Sequence, residues 1–187
     1  MEVIYSDTAY DDAFRTMETE CDDLVIPFVN HMFGEKFDNT AVIKRLRNEH
    51  FIEKEDGSEE RRVTDSHFEI ISSEITKRYH LECESKKYDG TILVRIFEYD
   101  AQVAIDEGDR NIERLRVKFP NSGLLLLRKS GRAPSKASIE MEMPDGNVAS
   151  YTVPIIQMSD VTLEEIFVKR LYLLIPFYMF NYEERLK

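Results

Sequence analysis

The stretch from Arg78 to Ser85 constrains this 187-residue chain more than any other, because its side chains alternate in kind. In an extended chain Tyr79, Leu81 and Cys83 fall on one face, and His80, Glu82 and Glu84 fall on the other. A strand built this way buries an apolar face and sets two carboxylates side by side on the opposite one. If it runs one residue pair further, Lys86 joins them. Asp89-Gly90 then breaks the strand, and Thr91 is placed to cap a helix over Ile92 to Ile105, with Arg95, Tyr99 and Gln102 along one side. At 187 residues the chain is long enough for one substantial core and short for two, which suits a single domain of the α/β (α+β) class.

The flanking segments fit that class. Upstream, Phe14, Met17, Cys21, Leu24, Val25 and Phe28 recur at helical spacing, which predicts a helix from about Tyr10 to His31, kinked or divided at Pro27 and stopped by Gly34. Glu18 lies at the edge of that apolar stripe, either pairing with an arginine or reaching toward a site. An acidic turn around Asp56-Gly57-Ser58 precedes a second alternating run. There Val63, Asp65, His67 and Glu69 share one side and Thr64, Ser66, Phe68 and Ile70 the other. Beyond Gly108 the chain is β-rich. Gly123 to Arg128 is an apolar strand, and Ser138 to Met143 with Asn147 to Pro154 forms a hairpin about Pro144-Asp145-Gly146. Thr162, with Glu165 three residues on, starts a final helix to about Tyr182. That helix is apolar nearly all round, so it is either a core helix kinked at Pro176 or the face for a helical continuation or a homo-oligomer.

Composition narrows the function classes. Hydrophobic residues make up 42% and charged residues 33%, which suits one globular domain over residues 1–187. No apolar run is long enough for a spanning helix and the first residues lack a signal pattern, so the expectation is a cytoplasmic protein with no membrane contact. Cys21 and Cys83 are too few for a disulfide scaffold or a zinc site, and His50, His67 and His80 have no zinc spacing. The net charge of -11 works against phosphate binding unless a divalent metal and local basic bunches offset it. Such bunches are Arg61-Arg62, Lys77-Arg78, Lys86-Lys87, Arg110 to Lys118, and Arg128, Lys129, Arg132 and Lys136.

Carboxylates on neighbouring strands form a hard-oxygen site suited to Mg²⁺ or Mn²⁺, and such an ion can activate water against a phosphodiester. Asp65 and Glu82 are the best-placed pair, with Glu18 as a third acid from the first helix. Glu84 adds a like charge that Lys86 could steady from two residues further on. Arg95 and Tyr99 are either a structural pair or helpers on the phosphate side.

Several segments in unbroken order resemble the recombination-promoting nuclease and transposase group of the PD-(D/E)xK superfamily. They include Asp12-Ala13-Phe14-Arg15, Arg62-Val63-Thr64-Asp65-Ser66-His67-Phe68, Tyr79-His80-Leu81-Glu82-Cys83-Glu84-Ser85, Val94-Arg95-Ile96-Phe97-Glu98-Tyr99-Asp100, Phe119-Pro120-Asn121-Ser122 and Thr162-Leu163-Glu164-Glu165-Ile166-Phe167. The resemblance implies a restriction-endonuclease-like mixed sheet, a divalent metal and endonucleolytic cleavage of DNA. On it, Asp65 takes the aspartate of the PD motif, with Thr64 in place of the proline, and Glu82 takes the acid of (D/E)xK. Glu84 stands where the group has glutamine and the wider superfamily lysine. Arg95 and Tyr99 match the downstream arginine and tyrosine. A catalytically silent descendant, keeping the fold as a binding or assembly module, is the alternative.

Overall fold

The computed structural model describes residues 9–46, 49–53, 59–63, 66–131 and 133–182. Helices α1 (Ala9–Glu20) and α2 (Asp22–Phe33) come first, followed by strand β1 (Val42–Arg45) and the ribbon β2 (Glu49–Glu53) with β3 (Glu59–Val63). Next are β4 (Ser66–Ile71), β5 (Thr76–Glu84), helix α3 (Ile92–Asp106), the small ribbon β6 (Asp109–Arg110) with β7 (Leu115–Arg116), and β8 (Asn121–Leu126). The hairpin β9 (Lys136–Glu142) and β10 (Val148–Gln157), helix α4 (Leu163–Val168) and a 3-10 segment (Tyr172–Tyr182) complete the chain. The main sheet has six strands in the order β1-β4-β5-β8-β10-β9. β8 runs parallel to both β5 and β10, and the remaining pairs are antiparallel. This is a mixed, helix-flanked sheet of the expected α/β class.

β5 lies at the middle of the sheet, and its two faces meet different partners. Tyr79, Leu81 and Cys83 join Phe14, Val25, Phe28, Phe68, Leu125 and Phe177 in the larger core on the α1, α2 and C-terminal side. A smaller core of Ile92, Ile96, Leu124, Leu126, Val153 and Ile155 lies under α3. Gly123 of β8 allows α2 to sit close, since a Cβ there would fall 2.2 Å from Met32 Sδ and 2.9 Å from Phe33 Cζ. The hairpin turns where the sequence places it, with Gly146 at φ 82° and Met143 N–H donating to Asn147 O at 2.7 Å.

Three expectations are corrected. The first helix divides at Cys21 (φ -129°, ψ 74°), and Pro27 lies inside α2. The proline forfeits one backbone bond in the second turn of a helix whose Val25, Phe28 and Val29 are buried, and that packing outweighs the loss. Gly34 does end α2, in the left-handed conformation, with its N–H on Asn30 O. In the second, Thr91 does not cap α3. Its own N–H and hydroxyl donate to Asp89 Oδ1 at 2.9 and 2.6 Å, so the aspartate organises the turn. The third concerns the final helix, which stops after one and a half turns. Thr162 Oγ1 accepts from Glu165 N–H as expected, but Arg170 then adopts φ 57° and Leu171 N–H returns to Ile166 O. This is a Schellman-type stop with arginine at the position glycine usually fills. The segment beyond it passes through Pro176 as a 3-10 helix that buries Leu173, Leu174 and Phe177 and exposes Ile175 and Met179. No helix among the described residues is long and apolar enough to cross a membrane.

Candidate functional site

The polar face of β5 lies under α3 and next to β4 and β8. Its register sets His80 opposite His67 of β4 and Ser122 of β8, and sets Glu82 beside Leu124. Glu82 is 2% exposed, yet both its oxygens have cationic partners. Oε1 faces His80 Nε2 at 3.0 Å, and Oε2 accepts from the Arg95 guanidinium at 2.8 Å. The same Arg95 nitrogen reaches Glu84 Oε2 at 3.5 Å, so one helix residue brackets both carboxylates. Arg95 is the part of this group most open to solvent.

Behind Glu82 the network continues inward. His80 Nδ1 lies 2.7 Å from Asp100 Oδ1, and Ser122 donates to that oxygen at 2.7 Å. The Tyr151 hydroxyl donates to Asp100 Oδ2, also at 2.7 Å. Tyr99 meets the His80 ring edge-on, with centroids 5.9 Å apart. Carboxylates only accept, so an imidazole between two of them needs a proton on each nitrogen. Burial alone would depress His80, but the hydrogen bonds and charges of Asp100 and Glu82 prevail and raise it to about 9. Glu82 moves the opposite way. Burial pushes it up, and the His80 hydrogen bond with the charges of His80 and Arg95 pulls it below the ordinary carboxylate range.

Of the residues singled out from the sequence, Glu82, Glu84, Arg95 and Tyr99 are brought together. Lys86 is not on the strand face: β5 ends at Glu84, and Lys86 sits exposed in the following loop with its backbone N–H on Glu84 Oε1 at 2.8 Å. Strand pairing stops there because the chain turns toward Asp89 and α3. Glu18 is fully buried on the α1 side of the sheet, beside Ser66. Arg45 Nε stands 3.0 Å from Glu18 Oε1 but does not point along a hydrogen bond, and its guanidinium serves Asp22 and the Glu18 carbonyl instead. Burial therefore prevails over the Arg45 charge and raises Glu18 to about 7. Asp65 lies outside the described residues. Among the described residues, no three His, Cys, Asp or Glu side chains form a group that could hold a metal ion.

His80, Asp100, Ser122 and Tyr151 were not legible as site residues. One signal existed for Asp100, which falls four residues after Ile96 and three before Val103, on the buried stripe of α3. An acid in that position needs a partner from the sheet. No protein-family model, curated protein or solved structure matches this chain, so the chemistry is read from the geometry itself.

Proposed function

We propose that the chain is a divalent-metal-dependent DNA endonuclease of the PD-(D/E)xK kind, related to the recombination-promoting nuclease and transposase group. The observation that carries the reading is the pair Glu82 and Glu84 at the end of a central strand, on one face and bracketed by Arg95. The surrounding unit agrees with it: two antiparallel strands, β4 and β5, then helix α3 leading to a strand parallel to β5. Asp65 and Glu82 are the residues that would hold Mg²⁺ or Mn²⁺, and hard carboxylate oxygens suit those ions. Glu18, across the sheet with Arg45, is left out of the ligand set. When bound, the ion supplies Lewis-acid polarisation and a more acidic water. The chain's own contribution is Arg95, which neutralises the two acids and is half-exposed, where a phosphate could take up its guanidinium. Lys86, on the loop after β5, adds positive charge beside the site but not on its face.

The silent-module reading has a specific observation in its favour, since both Glu82 oxygens already have cationic partners within the protein. Nicking of supercoiled plasmid in Mg²⁺ or Mn²⁺ separates the two readings. The endonuclease reading expects cleavage that is lost in Asp65→Ala and weakened at least tenfold in Arg95→Ala. Calorimetric titration of the folded wild type with Mn²⁺ supplies the second measurement. Absence of both Mn²⁺ binding and nicking would leave the silent module as the reading.

A further inference from the structure

The basic bunches of the sequence have different fates in the fold. Lys77 is spent on Glu35, at 2.7 and 2.9 Å, and Arg78 on Glu69 and Glu107. Arg128 donates to Ser85 O at 2.8 Å and lies over the Phe180 ring. The stretch from Asp109 to Lys118 stays open. It is the small ribbon of β6 and β7, projecting between α3 and β8, and Asn111 Oδ1 holds its turn by accepting from the N–H groups of Glu113 and Arg114. Arg110, Arg114, Arg116 and Lys118 are all exposed, against two acids, Asp109 and Glu113. Arg114 meets Asp109 only at 3.7 Å, and among the described residues the other three basic side chains form no ion pair. Ile112 stands fully exposed at the tip at 101%, and Leu115, also exposed, lies near Gly108 at the base of the arm.

We propose that this ribbon is a nucleic-acid arm: Arg110, Arg114, Arg116 and Lys118 contact the phosphates of duplex DNA, and Ile112 makes an apolar contact at the tip. It rests on the endonuclease reading for its choice of partner. Charge complementarity points to a polyanion, because a protein of net charge -11 repels one overall while the ribbon gathers four exposed basic side chains against two acids. A narrow two-stranded ribbon also fits a groove of the duplex, and an exposed aliphatic tip suits contact with bases or sugars. The arm begins about 20 Å from Arg95, the helical rise of α3 from Arg95 to Gly108. Its substitution therefore leaves the Glu82 network intact.

The test is binding of the full chain to a fluorescent DNA duplex in chelator, followed over a series of salt concentrations so that no cleavage intervenes. Each phosphate contact contributes about 0.9 to the slope of log K against log salt. Replacing Arg110, Arg114, Arg116 and Lys118 by glutamine should lower that slope by roughly 3 to 4. Ile112→Ser should weaken binding with the slope unchanged, and Lys129→Gln with Lys136→Gln should leave both unchanged. Circular dichroism on each variant checks that the fold survives. An unaltered slope in the fourfold variant overturns the arm, as does wild-type binding to phosphatidylserine vesicles or polyglutamate but not to duplex. Duplex binding without nicking in Mn²⁺ would overturn the endonuclease reading and leave the arm standing.

Discussion

Glu18 and Glu82 are both fully buried, both lie near an arginine, and they sit on opposite faces of one sheet, yet their carboxyls shift in opposite directions. Neither Glu18 oxygen accepts a hydrogen bond, because Arg45 directs its N–H groups to the Glu18 carbonyl and Asp22. Both Glu82 oxygens accept, one from His80 and one from Arg95. Burial is common to the two, so burial does not decide the charge. The number of aligned donors does, since each one replaces a water that the ionised oxygen lost.

The largest expected effect tests that account directly. Glu82→Gln puts an amide between an imidazolium and a guanidinium and leaves a buried cation short of its partner. We expect a loss of roughly 3–5 kcal/mol in urea unfolding at pH 7. Glu18→Gln should instead stabilise the fold under the same conditions, because the neutral amide replaces a carboxyl whose ionised form burial disfavours, and Arg45 retains Asp22 and the Glu18 carbonyl. Equal losses at the two positions would break the comparison.

The same contrast shows what could be read from sequence. The face of β5 that carries Glu82 was legible, because residues of two chemistries alternating with period two leave only one arrangement with Tyr79, Leu81 and Cys83 inside. The hairpin at Pro144-Asp145-Gly146 and the stop at Gly34 were legible for local reasons, since positive φ favours glycine. The network behind Glu82 was not. Tyr151 reaches Asp100 from a strand 51 residues away, and no local pattern marks that contact. The break at Cys21 and the left-handed Arg170 depend on how α1, α2 and the C-terminal segment share one core, which is again a tertiary matter. Lys86 misled because strand periodicity says nothing about where pairing ends.

A smaller effect distinguishes the two glutamates by pH. Glu18 holds its proton more tightly in the fold, with its pKa raised from 4.5 to about 7. The stability this adds is complete below pH 4.5 and is lost as pH climbs through 7, an amount of about 3 kcal/mol. Glu82 runs oppositely: its depressed pKa contributes stability above its unfolded value, which is lost on acidification. Relative to wild type, Glu18→Gln should therefore gain about 2–3 kcal/mol between pH 4.5 and pH 8, measured by urea unfolding at each end. A difference that stays constant across that range would mean that the fold does not raise the Glu18 pKa and that its carboxyl ionises there as readily as in the unfolded chain.

The smallest effect probes the far end of the Glu82 network. Tyr151→Phe removes the hydroxyl that donates to Asp100 Oδ2 and should cost about 1.5 kcal/mol, the usual worth of a hydrogen bond to a charged acceptor. Its more telling consequence lies at His80. The tyrosine draws off part of the Asp100 negative charge, so without it the carboxylate attracts the imidazolium proton more strongly. An NMR titration of the His80 Cε1–H should then place its already raised pKa higher than in the wild type measured alongside. An unmoved pKa would mean that Tyr151 serves Asp100 only by packing, and that the donors on Glu82 are set without help from β10.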